Sequence, residues 1–233
     1  MARCQPPDEG PNDWQAYHRL LGGFLREGMT VVDAGCGRGR VAPFPWSRYP
    51  GVRLVGVDPD AAARDNPQLA EFHRLRAGRD WPLGSGTADL VTARYVLEHV
   101  AEPADFLGNV RRVLRPGGRF LFLTPNRRHP AMVVSRLLPV AIKRRILGRT
   151  SCISHEQVFA TRYRMNTPRR IRELAGASGF RIEALLAKEF VPCAYLEFCS
   201  AAHLLASAYF LAVTATGWEK YCGAHLIGVL RKH

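Results

Sequence analysis

The sequence predicts a doubly wound α/β fold, and three observations support that prediction. Strand-like apolar runs alternate with helical stretches along the 233 residues, which is typical of a mostly parallel sheet with helices on both faces. Several of the runs are continuously apolar, as expected for strands that are buried on both faces. The first run leads directly into a glycine-rich turn, as the first strand of such folds commonly does.

Six apolar runs are strand candidates, and three stretches have helical periodicity. The strand candidates are residues 30–33, 53–58, 88–92, 119–124, 181–190 and 224–231. The helical stretches are residues 13–26, 103–114 and 168–178. The last two begin with proline, which is tolerated in the first turn of a helix.

The chain length suits one domain with insertions, which we expect over residues 13–233. The proline-rich leader before it, residues 1–12, is expected to be disordered. The first insertion, residues 127–167, is both basic and apolar. Residues 127–172 hold twelve Lys and Arg side chains against a single acid, Glu156.

The second insertion, residues 191–222, is predicted to be helical and apolar. It contains a run of twenty residues without a formal charge, 198–217, which is just long enough to span a bilayer. This run lies between two predicted strands of one sheet, so a single crossing would place the last strand on the wrong side of the membrane. We therefore expect a core or interfacial helix here.

The composition favours some partners and compartments over others. The formal net charge of +13 favours a polyanionic partner, such as nucleic acid, anionic lipid or a phosphorylated substrate. The six cysteines show neither C-x-x-C pairs nor the spacing of a disulfide framework or zinc site. The start of the chain lacks the basic and apolar pattern of a secretory signal. A cytoplasmic protein is expected.

The strongest motif joins the first strand to its glycine-rich turn. The strand ends at Asp33, and glycines follow at 35, 37 and 39, where the missing Cβ atoms let the backbone approach a ligand. The spacing differs from G-x-G-x-x-G, and no Walker lysine follows. The next strand ends at Asp58, whose carboxylate can accept both ribose hydroxyls of an adenosine. Together the two acids are a specific signal.

Six motifs occur in one order along the chain: Val31 to Gly37 (VVDAGCG), Val55 to Asp58 (VGVD), Ala88 to Val91 (ADLV), Val96 to Val100 (VLEHV), Leu114 to Gly118 (LRPGG) and Leu123 to Asn126 (LTPN). With these motifs the chain resembles the class I S-adenosylmethionine-dependent methyltransferases, especially the bacterial ubiquinone-biosynthesis-type O-methyltransferases. The resemblance covers about residues 14–231. It implies a Rossmann-like doubly wound, mostly parallel sheet of seven strands with helices on both faces and an antiparallel last strand.

The resemblance also implies the cofactor, S-adenosyl-L-methionine, with S-adenosyl-L-homocysteine as product and no metal. Asp33 and the glycine turn would hold the methionine part, and Asp58 the ribose. Ala77 stands where the family often has an acid that binds the adenine amine, so Asp80 or a backbone group is expected to substitute there, with Trp81 stacking on or flanking the adenine. The expected cofactor-binding residues are Tyr17, Asp33, Gly35, Cys36, Gly37, Asp58, Pro59, Asp80, Trp81, Ala93 and Arg94.

A sulfonium methyl group is already activated, so a protein base is needed only where the acceptor must lose a proton. The candidates for that base are His99, His129, His155 and Tyr163. His99 and His129 are favoured, because open α/β sheets bind ligands beyond the carboxyl ends of their strands. Glu98 is expected to be structural instead.

Three functions remain open at this point. The first is methylation, by in-line displacement, of an oxygen on a small hydrophobic or lipid-linked acceptor by an enzyme peripheral to an anionic membrane, since the basic and apolar insertion is typical of an interfacial segment. The second is an RNA or DNA methyltransferase, although residues 92–95 (TARY) lack the Asn/Asp-Pro-Pro-aromatic signature. The third is a non-catalytic scaffold with a cofactor fold. Carbon and nitrogen acceptors and the oligomeric state also stay open.

Overall fold

A computed structural model describes residues 13–39, 43–130, 132–133, 160–189 and 200–233 of the chain, without the side chains of 200–203 and 206. The predicted leader and most of the basic insertion, including His155, lie outside the described residues.

A seven-stranded sheet forms the centre of the protein, with the order β3-β2-β1-β4-β5-β7-β6. Every pairing from β3 to β5 is parallel, and β7 runs antiparallel to both β5 and β6. The predicted seven-stranded sheet with an antiparallel last strand is therefore confirmed. Its strands are β1 Thr30–Ala34, β2 Arg53–Asp58, β3 Glu71–Arg74, β4 Ala88–Arg94, β5 Leu114–Pro125, β6 Phe180–Lys188 and β7 His225–Lys232.

Helices flank this sheet, and two short 3-10 helices lie at Trp46–Arg48 and Ala61–Asp65. Thr167 and Pro168 begin the third helix: the Thr167 side chain accepts a hydrogen bond from the backbone N–H of Arg170, and proline occupies the first turn. The α-helices are α1 Asp13–Phe24, α2 Pro103–Val113, α3 Pro168–Ala177, α4 Ser200–Ala215 and α5 Glu219–Cys222.

β3 is the strand that the apolar runs did not reveal. Its four residues, Glu71–Arg74, lie at the edge of the sheet and are only partly buried. A short edge strand carries no continuous apolar run, because only one of its sides has a neighbouring strand and its faces are partly open to water.

The core has two layers, one on each face of the sheet. Along β5 successive side chains enter opposite layers: Phe120 and Phe122 join the layer under α2 and α3, whereas Leu121 and Leu123 join the layer under α1. Burial of each such side chain stabilises the fold by about 1.5–3 kcal/mol. Both faces of the sheet are thus covered, which leaves the ends of the strands for ligands.

The carboxyl ends of the parallel strands and the first residue of β7 lie at the same end of the sheet, which is called the sheet edge below. The order reverses between β1 and β4, and in open α/β sheets ligands bind beyond the carboxyl ends at such a point. Because β7 runs antiparallel, its first residue, His225, pairs with Pro125 at the end of β5 and with Lys188 at the end of β6. His225 therefore lies at the same edge as the carboxyl ends of the parallel strands.

The charge-free run 198–217 contains α4, so the expected helix is present. Part of that helix faces outward: the exposed fractions are 71% for Leu204, 73% for Leu205 and 63% for Leu211. Among the residues that the structure describes, no helix has the length and hydropathy needed to cross a membrane.

Candidate active site

The glycine-rich turn after β1 is held open by backbone and amide hydrogen bonds. Gly35 has φ +73° and Gly37 has φ +50°, values that glycine adopts readily and other residues rarely. The backbone N–H of Gly35 donates to the Val57 carbonyl at 2.7 Å, and the Asn66 amide donates to the carbonyls of Cys36 and Gly37, each at 3.2 Å. Apart from Gly37 and its two chain neighbours, no described residue has an atom within 4 Å of where a Gly37 Cβ would stand. The turn therefore presents bare backbone to a ligand.

Asp33, at the end of β1, is a partly buried carboxylate with few compensating contacts. The Thr92 hydroxyl donates to Asp33 Oδ1 at 2.9 Å. Burial raises the pKa of Asp33 to about 6, although Arg94 and the Thr92 hydrogen bond act in the opposite direction. A partly buried carboxylate of this kind gains most from a bound cation, such as the ammonium group of an amino acid.

Asp58, at the end of β2, is fixed by two backbone donors. The N–H of Gly37 donates to Oδ2 at 3.0 Å, and the N–H of Asp60 donates to Oδ1 at 2.8 Å. Burial raises the pKa of this carboxyl, while the two hydrogen bonds lower it. Each oxygen keeps a lone pair, so Asp58 can still accept the two hydroxyls of a ribose.

Arg94, at the end of β4, ties helix α1 to the sheet. Its Nη1 lies 3.2 Å from His18 Nε2, and its guanidinium carbon stands 4.2 Å from the centroid of the Trp14 ring. Arginine has no acceptor, so His18 Nε2 accepts and the imidazole is neutral. Burial, together with the charge of Arg94, lowers the pKa of His18 to about 4. α1 thus covers this part of the sheet edge with a neutral histidine across the neutral pH range.

Five of the eleven predicted cofactor residues line one cleft beside β1 and α1. A hydrogen bond joins Asp58 to Gly37, the residue that follows Cys36 of this cleft. Cys36 lies inside it as a buried thiol whose pKa is raised by burial, in line with a small residue that fits the turn. Of the predicted residues, the cleft is lined by Tyr17, Asp33, Gly35, Cys36 and Arg94.

Six predicted cofactor residues do not line this cleft: Gly37, Asp58, Pro59, Asp80, Trp81 and Ala93. Trp81 is buried in the core, where its indole packs edge-on against Phe106 at 5.5 Å and its backbone N–H donates to Asn109. The structure thus gives Trp81 a packing role. Sequence reasoning missed other lining residues, such as His18, Asn66 and Thr92, which no local motif marks.

Glu98 organises the polar part of the edge next to β5. The Thr124 hydroxyl donates to Glu98 Oε2 at 3.0 Å, and the Asn166 amide donates to the Thr124 oxygen. The Glu98 carbonyl accepts from the backbone N–H groups of Arg162 and Tyr163. All of these contacts join segments of the fold, which agrees with the structural role expected for Glu98.

The three candidate bases that the structure describes have different surroundings. His99 Nδ1 lies 3.2 Å from the Ala160 carbonyl, and Tyr163 has a positive φ of 51° beside the Glu98 network. His129 Nε2 lies 3.3 Å from Glu189 Oε2, and its ring packs edge-on against Tyr209 of α4 at 5.4 Å. None of these roles is tested by the geometry alone, and they remain predictions, as does that of His155.

Side chains distant in sequence join His129 at this edge. The Tyr95 hydroxyl donates to Asp13 Oδ2, and His225 Nε2 lies 3.9 Å from the same oxygen. Burial lowers the pKa of His225. Within the described ranges, no three His, Cys, Asp or Glu side chains form a set that could hold a metal ion.

Sequence reasoning missed Glu189, His225 and Asp13 as members of this edge. The one signal that could have placed His225 there is the antiparallel direction of the last strand, which brings the first residue of β7 to the carboxyl edge. We call His129, Glu189, His225, Asp13 and Tyr95 the acceptor-side cluster.

The residues in and beside the cleft fit S-adenosylmethionine. The bare backbone at Gly37 leaves room for a ligand, Asp33 suits its ammonium group, and Asp58 suits its ribose. The acceptor-side cluster lies farther along the same edge, at the ends of β4, β5, β6 and β7. One edge therefore offers a donor site and, beside it, polar groups for an acceptor.

Comparison with known proteins agrees with this geometry. A ubiquinone biosynthesis O-methyltransferase of Methylobacterium sp. (strain 4-46) is 40% identical over 110 residues, which are 43% of this chain and 42% of that protein. The enzyme of the same name from Caulobacter vibrioides is 31% identical over 122 residues, 48% of this chain and 46% of that protein. The chain thus spans less than half the length of these two curated relatives.

The fold is found again in solved structures. A SAM-dependent methyltransferase from Methanosarcina mazei superimposes with a TM-score of 0.58 at 16% identity, covering 91% of this chain and 96% of that one. At this identity the likeness shows the fold alone. A family described as "Methyltransferase domain" matches residues 9–185, more than half of the chain. The chain therefore belongs to the methyltransferase-domain family.

Proposed function

We propose that this enzyme methylates a hydroxyl oxygen on a small hydrophobic or lipid-like acceptor. S-adenosylmethionine, when bound, supplies a methyl group that is already activated by the positive sulfur. The residues of the chain then have to orient two ligands in line, exclude water and receive the proton of the hydroxyl.

The position of α4 is the observation that supports a hydrophobic acceptor. No residue of this helix, Ser200–Ala215, has a formal charge, and it lies beside the acceptor-side cluster through Tyr209. The Tyr209 hydroxyl donates to the Cys222 carbonyl at 3.3 Å, and Val213 is buried on the inner side of the helix. An apolar wall next to polar groups suits an acceptor with a greasy body and one reactive hydroxyl.

The relatives support oxygen as the acceptor atom. Both curated proteins reported above are named O-methyltransferases of ubiquinone biosynthesis. The match covers less than half of each of these proteins and less than half of this chain. The relatives therefore support oxygen as the acceptor atom, and α4 supports a hydrophobic acceptor molecule.

A direct assay tests this function. The enzyme is incubated with S-adenosylmethionine carrying a labelled methyl group and with one of three acceptors: 4-octylcatechol, the polar 3,4-dihydroxybenzoate, or total RNA. We expect a methoxy product, identified by NMR, that forms faster from the octyl compound than from the acid. Methylation of ring carbon would contradict the oxygen assignment. Label in RNA would favour the nucleic-acid alternative, which the charge of +13 motivates.

The outer face of α4 extends the proposal to an anionic membrane surface. Leu204, Leu205 and Leu211 are exposed there, and Trp218 and Tyr221 are exposed just beyond the helix. Lys220 Nζ stands 5.1 Å from the centroid of the Tyr221 ring. A helix with exposed leucines that is followed by Trp, Tyr and Lys is typical of segments that lie in a membrane interface.

Flotation with vesicles of phosphatidylcholine and phosphatidylglycerol at low salt tests this part. We expect the enzyme to float with the vesicles, and the double substitution L204S/L205S to weaken binding by at least about tenfold. Leu186→Ser is the matched control, because Leu186 is an exposed leucine on β6 and not on α4. A wild-type enzyme that stays wholly in the soluble fraction would overturn the membrane proposal without affecting the methylation assay.

A further inference from the structure

We propose that His129 is the group that takes the proton from the acceptor hydroxyl, and that Glu189 is the positioning residue that orients it. This inference rests on the proposed O-methylation and adds to it the identity of the base. Glu189 follows β6 and His129 follows β5, so two different strands bring the pair together at the acceptor side of the sheet edge.

The carboxylate of Glu189 is held in place before any ligand binds. Its Oε2 accepts a hydrogen bond from the backbone N–H of Ala224 at 3.0 Å, just before β7. The same oxygen lies 3.3 Å from His129 Nε2. The side chains of Glu189 and His129 are only 8% and 13% exposed. A carboxylate that is fixed by the backbone can impose one orientation on the imidazole next to it.

The contact with Glu189 through Nε2 leaves the other ring nitrogen, Nδ1, to act as the base. A carboxylate beside Nε2 favours the tautomer that carries its proton on Nε2, which leaves the lone pair on Nδ1. Among the described residues His129 Nε2 makes no hydrogen bond of good geometry, despite the short distance to Glu189. Hydrogen bonds of a general base are often poorly aligned until substrate binds, so a small rotation of the ring would complete this one.

Neighbouring groups complete the environment of the pair. The titratable and charged side chains that face it are Asp13 of α1, Tyr95 after β4, Tyr209 of α4 and His225 of β7. Burial lowers the pKa of His225 and so favours its neutral form, which leaves it without a positive charge to repel a protonated His129. Glu189, whose Oε2 lies 3.3 Å from His129 Nε2, is the anion that would stabilise that charge.

The proton transfer balances with this arrangement. The O–H bond of the acceptor breaks and its proton passes to His129 Nδ1. A lone pair of the acceptor oxygen forms the new C–O bond, while the methyl–sulfur bond breaks and leaves its electron pair on the neutral thioether sulfur. The imidazolium of His129 then releases the proton to water, which restores the resting enzyme.

The contrast with Glu98 separates a catalytic pair from a structural one. Glu98 accepts from Thr124, and its carbonyl joins two segments of the chain, while its Oε1 lies 4.0 Å from His99 Nε2, beyond hydrogen-bond distance. His129 and Glu189 instead place two ionisable groups together in a largely buried position, where apolar side chains of similar volume would often stabilise the protein equally well.

The test compares two acceptors that differ in their need for a base. 4-Octylcatechol is protonated at neutral pH, whereas 4-nitrocatechol has one hydroxyl that is already ionised. For the octyl compound we expect kcat to fall about 100-fold in H129Q and about tenfold in E189Q. For the nitro compound, both variants should stay within about threefold of wild type, since no proton has to be removed.

Matched controls come from a similar pair and from the same strand. His73 lies 2.7 Å from Glu71 on the edge strand β3, so H73Q makes the same substitution in another histidine–glutamate pair. Glu183→Gln replaces an acid of β6 that pairs with Arg119. Neither control should change the ratio of the two rates. Should E189Q fail to fold, E189D keeps the charge and is expected to retain part of the activity on 4-octylcatechol.

The outcomes distinguish this inference from the proposed function. Equal slowing of both acceptors in H129Q and E189Q would show a structural pair and would overturn the inference. A wild-type enzyme that binds S-adenosylmethionine but methylates neither catechol would overturn the hydroxyl chemistry, and the inference with it. In the resting enzyme, ¹⁵N NMR of His129 should show the Nε2–H tautomer, and the Nδ1–H tautomer would also contradict the inference.

Discussion

The two halves of the sheet edge are built in different ways. The cofactor half uses residues that follow β1 and β2 closely and relies on backbone groups: the Gly37 N–H binds Asp58, only 21 residues later. The acceptor half relies on side chains from distant parts of the chain, such as Asp13 and His225. Contacts made by backbone groups tolerate any residue that can adopt the required φ and ψ angles. Contacts made by side chains are lost when any one of those residues is replaced. We therefore expect the donor site to be shared widely and the acceptor site to be particular to this chain.

The largest effect is expected at Asp33, in the cofactor half. Asp33→Asn removes the partly buried negative charge that faces the cofactor ammonium, so the Kd for S-adenosylmethionine should rise about 100-fold, as for the loss of a charged hydrogen bond of about 2–3 kcal/mol. Isothermal titration calorimetry measures it. Asp89→Asn is the control, because Asp89 pairs with Arg115 and with the Thr30 N–H at the opposite edge. A similar loss in both variants would contradict the specific role of Asp33.

The same residue should make cofactor binding depend on pH. Because burial raises the pKa of Asp33 to about 6, the carboxyl becomes neutral below that value and no longer attracts the ammonium group. The Kd should rise up to about tenfold per unit as pH falls from 6. Calorimetry between pH 5 and 8 measures this. Asp33→Asn should abolish the dependence, and a wild-type Kd that is constant over this range would contradict the prediction.

The stability of the cofactor-free enzyme should change in the opposite direction. The folded state holds its Asp33 proton up to about pH 6, compared with 3.8 for a free carboxyl, so the contribution of this group to stability decreases as pH rises between these values. At pH 7 Asp33→Asn should therefore raise the free energy of unfolding, by about 1–3 kcal/mol. Urea denaturation measures it, and a less stable variant would contradict the sign.

The sequence predicted the cofactor half better than the acceptor half, for a physical reason. Asp33, Gly35 and Asp58 lie at strand ends within one stretch of chain, and their spacing alone places them together. Glu189 has no such signal, because its contact with His129 joins the segments that follow β6 and β5, which pair with β7 from opposite sides.

The strands follow the same division. Continuous apolar runs marked β1, β2, β4 and β5, which are buried on both faces, whereas the partly exposed edge strand β3 had no such run. Short sequence patterns thus predict burial and turns. Contacts between side chains that are far apart in the sequence can be identified only from the structure.

The polar network at Thr124 should affect stability and leave cofactor binding unchanged. Thr124→Val removes the hydroxyl that joins Glu98 to Asn166 and leaves two buried polar groups short of a partner, which should cost about 1–3 kcal/mol in the free energy of unfolding. Urea denaturation gives the loss, and calorimetry should give a Kd within about twofold of wild type. Thr87→Val, which removes an exposed hydrogen bond to Gly84, is the control. A large change in Kd would show that the halves are coupled through Thr124.

The smallest effect is expected where α1 touches both halves with adjacent residues. Trp14 packs on Arg94 of the cofactor half, and this cation–π contact is worth about 0.5–1 kcal/mol, so Trp14→Leu should raise the Kd for S-adenosylmethionine about threefold. Asp13 faces the acceptor half through Tyr95, so Asp13→Asn should leave the Kd unchanged.

A second cation–π contact on the same helix provides the control for Trp14. Phe24 packs under Arg119 at the other end of α1, and Phe24→Leu removes that contact without approaching the cofactor cleft. Its Kd should equal that of wild type in the same titrations. If Asp13→Asn weakened cofactor binding as much as Trp14→Leu, the first turn of α1 would act as one lid over both halves, and the division of the edge into two independent sites would be wrong.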